Sequence, residues 1–131
     1  GMTSHAQTLA RLLTALEEIE SHAEANIERA LTIQRKVRWM REQLDTGMPV
    51  SDVVEAETSP RVVALITTNK EALESAGAEL RASLALALRE DGLTLAEIAE
   101  LFGVTRQRIS ALLRQRAALE VGSTPVHQGP S

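Results

Sequence analysis

The chain has 131 residues, 44% of them hydrophobic but only 2% aromatic, no cysteine, and a formal net charge of −4. That length suits one ordinary domain or two small modules. The lack of cysteine excludes disulfides, thiol nucleophiles and zinc–thiolate centres together, and the acidic balance argues against a protein that coats nucleic acid indiscriminately.

The average hides a gradient. Residues 2–46 hold six bases and seven acids, residues 47–92 four and eight, and residues 93–131 four and three. The last four bases are all arginines between 106 and 116, where no acid occurs. Gly1 ahead of Met2 reads as a cleavage scar and is set aside. No apolar run reaches about 18 residues, so no membrane partner is expected. No charged-then-apolar leader opens the chain, and a cytoplasmic location is the expectation.

Prolines occur only at 49, 60, 125 and 130, which leaves 2–48 and 61–124 as windows where a helix interior can run unbroken. Leu, Ala, Glu and Arg dominate, and alternating runs of β-branched residues are lacking. The expected fold is all-α: a long N-terminal helical hairpin or coiled coil, then a C-terminal trihelical helix-turn-helix. By residue, this predicts a helical dimerisation module over 2–91, a helix-turn-helix over 84–118 and a disordered tail over 119–131.

The first element, about Ser4 to Asp45, carries a heptad: Leu9, Leu12, Leu16, Ile19, Ala23, Asn26, Ala30, Ile33, Val37, Met40 and Leu44. Asp45-Thr46-Gly47 with Pro49 beyond makes a helix stop. Such a helix is about 63 Å long, against a radius of gyration of about 14 Å for a compact globule of this size. It must therefore fold back as a hairpin, pair with another chain, or do both. Leu13, Ile27 and Leu31 widen the stripe, which suggests three or more helices around the seam. Asn26 on the seam is a register residue.

A short helix near 51–57 follows, with Ser51 as its cap and Val53-Val54 positioned to pack on Trp39. Ser59-Pro60 is the start signal for a helix over 60–91, one side of which is lined by Ile66, Leu73, Leu80, Leu84 and Leu88. Two hairpins of this kind could form a dimeric four-helix bundle.

Charge switches sign within the stretch LAEIAELFGVTRQRISALLR, Leu95 to Arg114. Thr94 and Glu97 form a capping box for a helix over 95–102, Gly103 supplies a tight turn, and Thr105 caps a second helix to about Arg116. Ile98, Ala99, Phe102, Val104, Ile109, Leu112 and Leu113 are the expected apolar set, with Ala99 small where the helices cross. Two short helices joined by a glycine turn match the supersecondary unit that reads DNA.

This stretch resembles the bacterial helix-turn-helix, especially the form in region 4 of sigma factors and in resolvase-type recombinases. Ala99, Gly103, Val104, Ile109 and Leu112 carry the likeness, and Thr105-Arg106-Gln107-Arg108 opens the recognition helix. The resemblance extends to a third helix if Leu84 to Leu93 supplies it, and leaves residues 2–80 unassigned. It implies double-stranded DNA as partner, with RNA polymerase as a further candidate.

A helical wheel places the outward face independently of that likeness. Ile109, Leu112 and Leu113 cluster on one side. Opposite lie Gln107, Ala111 and Arg114, with Ser110 and Arg106 beside them, while Arg108 and Arg116 point to the flanks. Gln suits adenine, Arg suits guanine, and the Ala111 methyl suits a thymine methyl. The candidate DNA-binding residues are therefore Thr105, Arg106, Gln107, Arg108, Ser110, Ala111 and Arg114. The acidic first helix lies outside the groove and the basic second helix within it.

One such motif offers few phosphate contacts and little area, so a homodimer through the N-terminal helices is expected. No metal, cofactor or catalytic group is predicted. His5, His22 and His127 are too scattered for a metal site, and no phosphate loop or nucleophile triad is present. Gln34 to Arg41, QRKVRWMR, reads first as a solvated helix end and second as another nucleic-acid contact. The leading functional expectation is a DNA-binding transcriptional regulator. Its alternative is a coiled-coil interaction adaptor that keeps the helix-turn-helix as a scaffold. A sensor of a small effector ranks below both.

Overall fold

Helix boundaries fall where this chain cannot continue a helix. The computed structural model describes residues 4–122, with side chains over 4–117. It contains α1 (His5–Asp45), α2 (Val50–Ala56), α3 (Val62–Glu90), α4 (Leu95–Phe102) and α5 (Arg106–Gly122), and among the described residues no strand. The fold is all-α.

The turn after α4 shows how an end is made. Gly103 adopts φ 68°, a left-handed conformation that costs glycine little and other residues more. Its N–H donates to the Glu100 carbonyl at 3.2 Å, and the Val104 N–H donates to the Ala99 carbonyl at 3.0 Å. Two carbonyls that the helix end would orphan are thereby satisfied. A Cβ at Gly103 would meet nothing within 4 Å, so conformation rather than space demands glycine there.

Two expected starts are displaced. Helix α2 begins at Val50 with Pro49 as its N-cap and no side-chain cap, so Ser51 sits inside the first turn. Helix α3 begins at Val62, two residues past the Ser59-Pro60 signal. The group that starts it is Glu57, whose carboxylate accepts the Val62 N–H at 2.5 Å. A buried carboxylate at a helix N-terminus satisfies an orphan donor and opposes the positive end of the macrodipole.

The described residues divide into two compact units, 4–17 with 77–122, and 18–76. The division cuts α1 and α3. The reason is that the first turns of α1 pack with the end of α3.

In the 18–76 unit, Val53, Val62, Leu65 and Ala76 are buried. Asn26 is buried too, and its amide donates to the Asn69 carbonyl at 2.9 Å while the Asn69 amide donates to the Asn26 carbonyl at 3.1 Å. Arg29 donates to the Asn26 side-chain oxygen at 3.0 Å. This reciprocal pair satisfies the polar groups it buries and ties α1 to α3 at one register, since a slip would orphan both amides. Trp39 is half-buried and lines an open pocket with Ala56, Glu57 and Thr58; of the Val53-Val54 pair, Val53 is buried and Val54 exposed.

In the other unit, the core is Ala85 of α3, Ile98 and Ala99 of α4, and Ile109 and Leu112 of α5, flanked by Leu88, Leu93, Leu95, Phe102 and Leu113. The buried Thr8 hydroxyl donates to Glu90 at 2.7 Å.

The α1 stripe is split lengthwise. Leu12, Ile19, Asn26, Ile33 and Met40 turn inward, half-buried or buried, while Leu9, Leu16, Val37 and Leu44 remain exposed. On α3 Val62 and Leu65 are buried near its start, the buried positions from Ala76 onward are small, Ala76, Ala82, Ser83 and Ala85, and the expected Ile66 and Leu73 are exposed. Small side chains let helices approach closely, which leaves the larger ones at the margins.

Helix α5 continues past Arg116 to Gly122 and takes in residues 119–122 of the predicted tail. The remainder of that tail lies outside the described residues.

Candidate nucleic-acid interface

Thr94 and Glu97 build the entry to the motif. The Glu97 N–H donates to the Thr94 hydroxyl at 3.1 Å and the Thr94 N–H donates to the Glu97 carboxylate at 2.8 Å. The Thr94 backbone N–H, helped by the Thr94 side chain, holds the Glu97 carboxyl below the usual carboxylate range. The predicted capping box is therefore present at both of its bonds. Helix α4 ends at the Gly103 turn, and Thr105 restarts the chain: its hydroxyl accepts the Arg108 N–H at 3.1 Å.

Burial orients α5. Ile109 is fully enclosed and Leu112 nearly so, which fixes the opposite side outward. Arg106, Gln107, Arg108 and Arg114 are exposed, and Ser110 and Ala111 are half-buried. Gln107, Ala111 and Arg114 share one face at helical spacing, because three and four residues return to the same side. The Arg114 guanidinium donates to the Ser110 hydroxyl at 2.9 Å, which holds the long side chain along the helix surface. The first N–H groups of α5 add a partial positive charge beside Arg106, a combination suited to a phosphate oxygen.

One flank residue departs from its expected place. Arg116 is only 8% exposed, and its guanidinium pairs with the Glu79 carboxylate of α3. The buried Ser83 hydroxyl also donates to Glu79, at 3.4 Å. Arg116 thus ties α5 to α3 and does not face a duplex flank. The wheel missed this because an arginine beyond the last core leucine looks solvated until the third helix is in place. The signal in the sequence was an acid, Glu79, at the start of the α3 segment that joins the motif.

The described residues thus hold a trihelical unit: a C-terminal stretch of α3, then α4 and α5, with an acid-free basic outer face on α5. Residues 73–118 match the family model described as Sigma-70, region 4, a helix-turn-helix DNA-binding region. The match begins within α3 and so includes the third helix; the part of the chain before it matches no family. No curated protein and no solved structure matches this chain.

Proposed function

We propose that the protein is a sequence-specific, DNA-binding transcriptional regulator that acts in the cytoplasm as a homodimer and inserts residues 105–116 into the major groove. The observation that carries this reading is the outward Gln107/Ala111/Arg114 face of α5 above a fully buried Ile109. Gln107 presents a donor and an acceptor and Arg114 a forked pair of donors to base edges, Ala111 offers a methyl, and Arg106 and Arg108 meet phosphates. Thr105 and Ser110 act beside them: Thr105 organises the helix start, and Ser110 steadies Arg114. Two motifs in one dimer would read half-sites about one helical turn, or a multiple of it, apart. The family match over 73–118 fits DNA binding and also a contact with RNA polymerase.

The interaction-adaptor reading has one observation in its favour. Leu80, Leu84, Phe102, Val104 and Leu112 line an open apolar groove of about 360 Å³, bordered by Arg81 and Arg108. The two readings separate in a titration of fluorescent genomic fragments against Arg106→Ala and Arg114→Ala. Loss of duplex affinity with an unchanged fold supports the regulator. Unchanged affinity for the protein's physiological partner in both variants supports the adaptor.

A further inference from the structure

The outward side of α1 in the 18–76 unit carries a symmetric pattern. Ile27, Leu31 and Val37 are 61%, 51% and 42% exposed, and they form one stripe with Ala23, Ala30 and Gln34. Beside this stripe runs an open groove floored by Ala23, Asn26 and Ala30, with Ile27 on one rim and Leu73 of α3, 41% exposed, on the other. Alanines seven residues apart leave room for another helix axis to approach closely. The same stripe carries Glu20 and Glu24 at its N-terminal end and Arg38 and Arg41 at its C-terminal end, all four exposed. Among the described residues, none of these four makes an ion pair.

We propose that a second copy of this chain docks its own α1 antiparallel on this stripe, about a two-fold axis between Ala30 and Leu31. The inference rests on the homodimer reading above and supplies its interface and register. About that axis Glu20 meets the other copy's Arg41, Glu24 meets Arg38, Ile27 meets Gln34 and Ala23 meets Val37. Ala30 and Leu31 meet their own counterparts. Every pair is equidistant from the axis to within one residue. Two acids and two bases per copy give four complementary pairs, and the large apolar side chains between them leave water. A parallel arrangement would set Glu20 on Glu20 and Arg41 on Arg41, which like charges disfavour. Isologous pairing also closes the assembly at two copies.

The absence of cysteine from the sequence makes the test direct. Single variants Leu31→Cys, Ala23→Cys and Val37→Cys are oxidised in the otherwise unchanged full chain, and products are read on a non-reducing gel. Leu31→Cys should link to itself. Ala23→Cys should link to Val37→Cys when the two are mixed, but not to itself, because self-pairs at that position lie about 22 Å apart along the axis, beyond disulfide reach. Self-linking of Ala23→Cys as strong as that of Leu31→Cys would overturn the antiparallel register. Light scattering that finds a monomer at micromolar concentration, with no cross-linking, would remove the interface altogether. Duplex binding is titrated on the same preparations: an antiparallel dimer that binds no DNA defeats the regulator reading and leaves this interface standing.

Discussion

In the helix-turn-helix unit, Ile98 and Ile109 are fully enclosed by neighbours from three helices. In the 18–76 unit, Ile27, Leu31, Ile66 and Leu73 stay largely exposed, while Val53, Val62, Leu65, Ala76 and the paired Asn26 are buried. Both stretches are amphipathic, yet only one closes on itself. Three helices crossing in different directions can surround a small core. Two long helices lying side by side cover only one stripe of each, and a stripe wider than that needs another partner. The contrast separates a module that closes its own core from one whose apolar edges stay exposed.

The strongest way to break that contrast is to truncate one residue from each side. Ile109→Ala should destabilise the helix-turn-helix by about 2–5 kcal/mol through lost burial and a residual cavity. Leu31→Ala should change the stability of a single chain by no more than about 0.5 kcal/mol. Denaturant unfolding at two protein concentrations checks both: the Ile109→Ala loss should appear at each, and the Leu31→Ala loss should grow where dimers prevail. Equal effects at both concentrations would erase the distinction.

Comparable in size is the difference between two arginines of α5. Arg114→Ala should weaken duplex binding by about 1–3 kcal/mol and relax preference at one base position, with the melting temperature unchanged. Glu79→Ala should do the reverse: a stability loss of about 1–3 kcal/mol from removing a partner of a buried guanidinium, with the salt dependence of DNA binding unaltered. Binding isotherms over a salt series, set beside thermal melts, sort the two roles. A loss of about 0.9 in the log–log salt slope in Arg116→Ala would return that residue to the interface.

A smaller effect belongs to the cap. Thr94→Ala should cost about 1 kcal/mol, confined to the helix-turn-helix unit and seen as faster amide exchange in α4. The least of these effects is a pH dependence. The Glu97 carboxyl is held below its unfolded-state value of about 4.3, so the unfolded chain binds the proton more readily. Its contribution is present in full above that pH and fades as pH falls toward the lowered folded value. Acid unfolding of Glu97→Gln should accordingly show a shallower loss of stability below about pH 4 than the parent chain.

Local chemistry made much of this fold legible. The capping box at Thr94 and Glu97, the glycine turn at Gly103 and the helix 95–102 rest on bonds between residues within five positions of each other, and they fall where the residue types demand. The exposed Arg106/Gln107/Arg114 face followed from the inward apolar set Ile109 and Leu112. The misreadings share a different cause. Ser59-Pro60 was outdone by Glu57, a carboxylate that reaches the helix start only after the link folds. Arg116 was drawn inward by Glu79, 37 residues away. The α1 heptad reads as one seam, but only its Leu12/Ile19/Asn26/Ile33/Met40 edge is covered.

The order of residues alone settled where helices start and stop and which side of each is apolar, because propensity, caps and turns act over a few residues. The packing of distant segments decided the rest: which apolar edge of α1 its own chain covers, which arginine of α5 becomes an internal strut, and where the two units divide. Those outcomes depend on which surfaces meet first and leave no room for others, and a one-dimensional pattern does not hold that competition.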